Sequence, residues 1–210
     1  MNLQLPKIYP ITDTRISGLS HTEQVRRLIS GGATFIQLRE KQQQPGDWYA
    51  DALEAAKLCR AAGAHCIVND RVDIAIAVDA AGVHLGQDDM PVAAARRILG
   101  REKIIGLSTH SIEQLEAALR EDIDYAAIGP IFATATKSDH EPVIGLEMLQ
   151  NAAKTAGNVP LVAIGGISEE NLLSAIDAGA SSAAMIGAIV RNADLIEEKY
   201  RQLVERVSQR

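Results

Sequence analysis

The chain has 210 residues, 47% apolar and 3% aromatic, with a net charge of −6. That length suits one domain or two small ones. The acidic balance argues against nucleic acid or an anionic membrane as partner. A small anionic substrate stays compatible with it, because a local cationic cluster or a metal reverses the field inside one pocket. Few aromatics and abundant alanine favour close packing of helices on a sheet.

Lys7 and Asp13 interrupt the first apolar run, so no secretion signal is expected. No segment reaches the roughly 20 apolar residues that span a bilayer. Cys59 lies on a helical pattern and Cys66 in a strand pattern. Both read as buried, reduced thiols, and a cytoplasmic protein follows as the expectation.

Short apolar runs, expected as strands, fall near 7–12, 35–39, 66–69, 82–85, 104–108, 125–129, 161–165 and 183–187. Most are continuously apolar, as in a parallel sheet buried on both faces. Helical patterns separate them. Ser20 with Glu23 and Ser111 with Gln114 have capping-box spacing. Pro91 suits a first helical turn, and Ser168 before Glu169 and Glu170 suits a helix start. A last helix is expected over about 192–207. Several helices end in glycine just before a strand, at Gly31-Gly32, Gly63 and Gly179. With no linker or low-complexity tract, residues 1–210 read as a single-domain α/β fold, a (β/α)8 TIM barrel. An open doubly wound sheet is the runner-up. Both place ligands at the carboxyl ends of the strands.

The polar motifs gather there. Gln37, Arg39 and Lys41 share one parity along the second strand, so they point together into the barrel mouth while Ile36 and Leu38 pack on helices. Asn69-Asp70 closes the third strand and Asp89 follows the fourth. Each aspartate taken alone reads as a helix cap. Together they suit Mg2+, which takes one or two carboxylates and leaves its other positions to water and substrate phosphate. Ser108, Thr109 and His110 end the fifth strand, with His110 read as a scaffold residue and His84 as a satisfied core residue. His21, His65 and His140 show no pairing pattern, so zinc is not expected. No Gly-x-Ser-x-Gly elbow supports a serine hydrolase. Thr134, Thr136 and Lys137 after the sixth strand form an anion grip on a loop able to close over a substrate. Gly165-Gly166 and Gly187 follow the seventh and eighth strands, where backbone N–H groups often bind phosphate in this fold.

With these residues placed, the chain resembles the thiamine-phosphate synthase family, also called thiamine-phosphate pyrophosphorylase. The resemblance runs from Tyr9-Pro10-Ile11-Thr12-Asp13 to Ile186. Its specific parts are Gln37-Leu38-Arg39-Glu40-Lys41, Val68-Asn69-Asp70-Arg71, Gly82 to Asp89, Ser108-Thr109-His110, and Gly129-Pro130-Ile131-Phe132 with Thr134-Ala135-Thr136-Lys137. It implies an enzyme that joins a hydroxymethylpyrimidine pyrophosphate to a thiazole phosphate, releasing pyrophosphate and forming thiamine phosphate. It implies Asp70 and Asp89 as Mg2+ ligands. It implies Gln37, Arg39, Lys41, Asn69, Ser108 and Lys137 around the pyrimidine pyrophosphate, with Lys137, Ser108 and Arg39 as the expected catalytic set. Thr134, Thr136, Gly166 and Ile186-Gly187 would hold the thiazole phosphate. The implied chemistry is dissociative and needs no protein nucleophile. The implied partners are the two small substrates, and the chain is compatible with a homo-oligomer. One departure is Gly187, where the family commonly carries serine. The alternatives are a related thiazole tautomerase, which would not need the pyrophosphate and metal apparatus, and an inactive phosphate-ligand sensor on the same barrel.

Overall fold

Eight parallel strands close on one another in chain order: β1 (Ile8–Asp13), β2 (Phe35–Arg39), β3 (His65–Asn69), β4 (Gly82–Leu85), β5 (Ile104–Thr109), β6 (Tyr125–Ile128), β7 (Leu161–Ile164) and β8 (Ser182–Met185). The last returns to the first through Ile8 beside Ala183. This is a (β/α)8 barrel, described by a computed structural model over residues 3–134 and 142–209. The strand bounds match the apolar runs to within two residues. The helices between and after the strands are α1 (Thr14–Ser17), α2 (His21–Ser30), α3 (Pro45–Ala61), α4 (Val72–Ala77), α5 (Val92–Leu99), α6 (Ile112–Ala118), α7 (Gly145–Ala156), α8 (Leu172–Asp177), α9 (Gly187–Val190) and α10 (Ile196–Ser208). None among the described residues is long and apolar enough to cross a membrane.

Strand parity divides the apolar residues into two cores. Ile36, Leu38, Val68, Val83, Leu85, Ile105 and Leu107 face outward and pack under the helices. The helices meet them with small residues, such as Ala52, Ala55, Ala56 and Cys59 of α3. Cys59 and Cys66 are both free and buried. Tyr9, Ile11, Phe35, Ile67, Tyr125, Ala127, Val162 and Ala184 fill the barrel interior. Three of the seven aromatics lie there. Tyr9 and Phe35 meet edge-on at 4.8 Å, and Tyr125 lies 6.1 Å from each. Gly106 makes this packing possible, since a Cβ there would fall 2.1 Å from Tyr125 Cζ.

Two caps form, each with a modification. Ser20 accepts from the Glu23 N–H at 3.2 Å, but the Glu23 carboxylate turns to Arg27 at 2.8 Å instead of closing the box. Ser111 accepts from the Gln114 N–H at 3.3 Å, and Gln114 Oε1 accepts from His110 N at 2.7 Å. The expected start at Ser168 is a correction. Its hydroxyl bonds Glu170, its N–H donates to Asn171 Oδ1 at 2.8 Å, and α8 begins only at Leu172. The side chain of Asn171, unlike a cap, reaches back to hold the loop after β7. The last helix begins at Ile196, after a 3-10 turn over Ala193–Leu195.

Candidate active site

Period-2 alternation carries the inward parity of each strand up to the mouth. On β2, Phe35 is interior, Gln37 is 2% exposed, and Arg39 reaches the rim. Gln37 sits deeper than the mouth and donates to Tyr9 Oη at 2.9 Å. Arg39 donates to Asp13 Oδ2 at 2.5 Å, from the β1 residue directly beside it in register. Lys41 is half-exposed and pairs with Asp70 Oδ2 at 2.5 Å. Asn69, 7% exposed, shares the parity of the interior residue Ile67.

Neither aspartate behaves as a helix cap. The residues before α4 and α5 are Arg71 and Pro91, and neither helix start receives a side-chain cap bond. Asp70 has φ 62°, a left-handed conformation that aspartate tolerates better than most residues. Asp89 Oδ2 instead accepts from the Gly86 N–H at 2.6 Å, folding its turn back on the end of β4. Burial raises the Asp70 carboxyl above its ordinary value; Lys41 opposes that, and the negative charge of Asp89 adds to it. Asp89 is thus close enough to disfavour the charge of Asp70. Among the described residues no three His, Cys, Asp or Glu side chains gather as a metal site.

Ser108 is the upper end of a buried chain of hydrogen bonds. Its Oγ lies 2.8 Å from His84 Nε2, His84 Nδ1 lies 2.9 Å from Tyr125 Oη, and Tyr125 Oη lies 3.0 Å from Tyr9 Oη. Gln37 joins at Tyr9, so two rim-facing strands are tied through the barrel core. His84 is a satisfied core residue, as its apolar strand implied, and also orients Ser108. Gln87 donates to the Ser108 carbonyl at 2.6 Å. His110 Nδ1–H donates to the Gly129 carbonyl at 2.6 Å, a scaffold role.

The side of the mouth over β7 and β8 is built differently. Gly165 and Gly166 have φ of 97° and 64°. A Cβ on Gly166 would lie 2.4 Å from the Ala133 carbonyl oxygen, so only glycine lets this loop pass the one after β6. The Phe132 N–H donates to the Gly165 carbonyl at 3.0 Å, and Asn171 Nδ2 to the Gly166 carbonyl at 2.9 Å. Thr134 is half-buried beside this loop's crossing. Ile186 and Gly187, also half-buried, join β8 to α9. Thr136 and Lys137 lie outside the described residues.

Two groups near the site carried no local signal. Asp13 is 4% exposed, partners Arg39, and also accepts from the Ile16 N–H at 3.1 Å. Only its place at the end of an interior-parity strand could have marked it. Glu40 binds the loop that carries Lys41. Its carboxylate accepts from the Gln42 N–H and the Thr14 hydroxyl, each at 2.8 Å, and faces His21 Nε2 at 3.7 Å. His21 first, then the Gln42, Thr14 and Gln43 donors, hold its carboxyl well below the usual range. The Thr12 hydroxyl donates to the Gln37 carbonyl at 3.1 Å, so its 2.7 Å contact with His21 Nδ1 has the ring N–H as donor.

This barrel, with acids at the β3 and β4 ends and glycine loops at the β7 and β8 ends, has close relatives. The family model described as thiamine monophosphate synthase matches residues 8–189. The chain belongs to that family. A thiamine-phosphate synthase of Chloroflexus aurantiacus is 46% identical over 203 residues, covering 96% of this chain and 93% of that one. One of Syntrophomonas wolfei is 43% identical over 202 residues, with 95% and 96% covered. A thiamine phosphate pyrophosphorylase structure from Pyrococcus furiosus superposes with a TM-score of 0.85 at 37% identity, covering 96% of both chains.

Proposed function

We propose that this protein condenses a hydroxymethylpyrimidine pyrophosphate with a thiazole phosphate, forming thiamine phosphate and pyrophosphate. Full-length membership of the thiamine-phosphate synthase family supports the reaction. The observation that carries the site assignment is the convergence of Arg39, Lys41, Asn69, Asp70, Asp89 and Ser108 on the inward rim from β2 to β5.

The donor set at Asp70 and Asp89 fits Mg2+. Two rim carboxylates, of which Asp70 has its proton affinity raised first by burial and also by the charge of Asp89, and neither of which caps a helix, suit a hard divalent cation better than they suit an empty rim. When bound, Mg2+ supplies positive charge that favours departure of pyrophosphate. Lys41, paired with Asp70 at 2.5 Å, would be free to bind the pyrophosphate if Asp70 held the metal. Arg39 reaches the same group from Asp13. Gln37, Asn69 and Ser108 orient the pyrimidine, with Ser108 held in place by His84. Lys137, by the family resemblance, stabilises the charge that develops on the leaving group. Thr134, Thr136, Gly166, Ile186 and Gly187 hold the thiazole phosphate, so that its ring nitrogen meets the pyrimidine methylene in line. The aminopyrimidine cation forms as pyrophosphate leaves, and no protein nucleophile is needed.

Incubation of the purified protein with both substrates and Mg2+, with thiamine phosphate and pyrophosphate quantified together, tests this reading. The two products should appear in equal amounts and only when both substrates are present. Release of pyrophosphate without thiamine phosphate, or no turnover at all, would overturn it.

A further inference from the structure

Gly187 opens α9 at the carboxyl end of β8, and Arg191 follows one helical turn later, its N–H donating to the Gly187 carbonyl at 3.3 Å. Side chains on a helix lean back toward its amino end. The Arg191 side chain does so and lies over residue 187. A Cβ at that glycine would stand 3.2 Å from Arg191 Nη2, 3.7 Å from Nε and 3.8 Å from Cζ. The guanidinium thus occupies the space beside the β8 end that a side chain at residue 187 would share.

Arg191 is exposed, and no carboxylate among the described residues holds it. Asp194, the acidic residue nearest in the chain, faces Arg27 at 3.7 Å instead. An arginine held beside half-buried backbone at a barrel mouth, with its fork uncommitted, suits a phosphate monoester, which accepts two parallel N–H bonds. We infer that Arg191 is a substrate-binding residue that reads the phosphate of the thiazole substrate across Gly187. The inference rests on the assignment of the β7–β8 rim to that phosphate. It makes Arg191 a specificity determinant between the phosphorylated thiazole and the corresponding alcohol.

The test compares wild type, Arg191→Ala and Arg191→Lys with thiazole phosphate and with the unphosphorylated thiazole alcohol, at saturating pyrimidine pyrophosphate. One charged, bidentate contact at a half-exposed site is worth about tenfold in KM. Arg191→Ala should raise KM for thiazole phosphate by about that factor, leave the alcohol unchanged, and leave KM for the pyrimidine substrate within about twofold. Arg191→Lys should recover part of the loss, keeping the charge and losing the fork. Thermal unfolding should be unchanged, since the side chain has no ion pair among the described residues. If wild type prefers the phosphate and Arg191→Ala prefers it equally, Arg191 is not its reader and the inference falls alone. If wild type does not distinguish phosphate from alcohol, the β7–β8 assignment falls and takes the inference with it.

Discussion

The two sides of the barrel mouth meet their ligands by opposite means. Over β1 to β4 the rim is made of charged side chains already paired with one another, Arg39 with Asp13 and Lys41 with Asp70. After β7 it is made of backbone, shaped by Gly165 and Gly166 in left-handed conformations against the loop after β6, and only after β8 does one side chain, Arg191, lie over it. The first side has to exchange internal ion pairs for ligand, so its strength depends on individual charges. The second is set before any ligand arrives and depends on the absence of Cβ atoms. A single charge removed should cripple the first side without harming the fold. A single methyl group added should damage the second through the fold itself.

The largest effect is expected on the backbone side. Gly166→Ala adds a Cβ 2.4 Å from one carbonyl oxygen and 2.6 Å from another, at φ 64°. Overpacking of about 1–3 kcal/mol and a left-handed cost of about 1–2 kcal/mol together give a loss of about 2–5 kcal/mol. Chemical denaturation measures it. A variant as stable as wild type would mean that the loop after β7 is free to rearrange, and the contrast between the two sides would collapse.

On the charged side, Asp70→Ala and Asp89→Ala should each lower turnover by about 100- to 1000-fold, the scale of a lost transition-state electrostatic contact. Circular dichroism and unfolding temperature should stay near wild type, because both groups lie on the rim. Full activity of either variant, or of wild type in excess chelator, would remove the metal from the proposed mechanism.

Lys137→Ala separates transition-state stabilisation from docking. A charged hydrogen bond of roughly 1.5–3 kcal/mol made only to departing pyrophosphate lowers kcat by about 10- to 150-fold. A rise in KM with unchanged single-turnover chemistry would make Lys137 a docking residue.

The smallest effect concerns what keeps the charged side in place. The Glu40 carboxyl titrates below its ordinary value of 4.5 because His21, Gln42, Thr14 and Gln43 favour the charged form. A depressed folded-state value stabilises the fold above pH 4.5, and that contribution is lost as pH falls from there toward the depressed value. Glu40→Gln should cost about 1–3 kcal/mol at neutral pH, the scale of hydrogen bonds to a charged group. It should also flatten the fall in stability below pH 4.5. An unchanged acid slope would show that other carboxylates set it.

Much of this site was legible before any coordinates. Gln37, Arg39 and Lys41 alternate along one strand, and alternation alone sends them to one face. Asp70 and Asp89 follow successive strands, and in a barrel successive strands are neighbours. The cap reading of these aspartates was equally local and equally sound, and the structure decides against it because Asp89 turns to the Gly86 N–H. Ser168 failed as a helix start for a similar reason, since Asn171 and Glu170 take its polar groups.

What the sequence by itself determined was periodicity: strands buried on both faces, helices between them, and polar residues past each strand end. Those are properties of a chain segment and its immediate neighbours, so eight apolar runs imply a parallel α/β sheet with its ligand edge at the strands' carboxyl ends, while closure into a barrel is seen only in the structure. Only the tertiary structure decided which groups meet. Asp13 and Arg39 are 26 residues apart, and Tyr9 and Tyr125 are 116 apart. The Gly106 notch that admits Tyr125, and the rise in proton affinity of Asp70 beside Asp89, likewise exist only once the barrel closes. Contacts of that separation depend on register and closure, and desolvation depends on everything packed around a group; neither is carried by a local pattern of residue types.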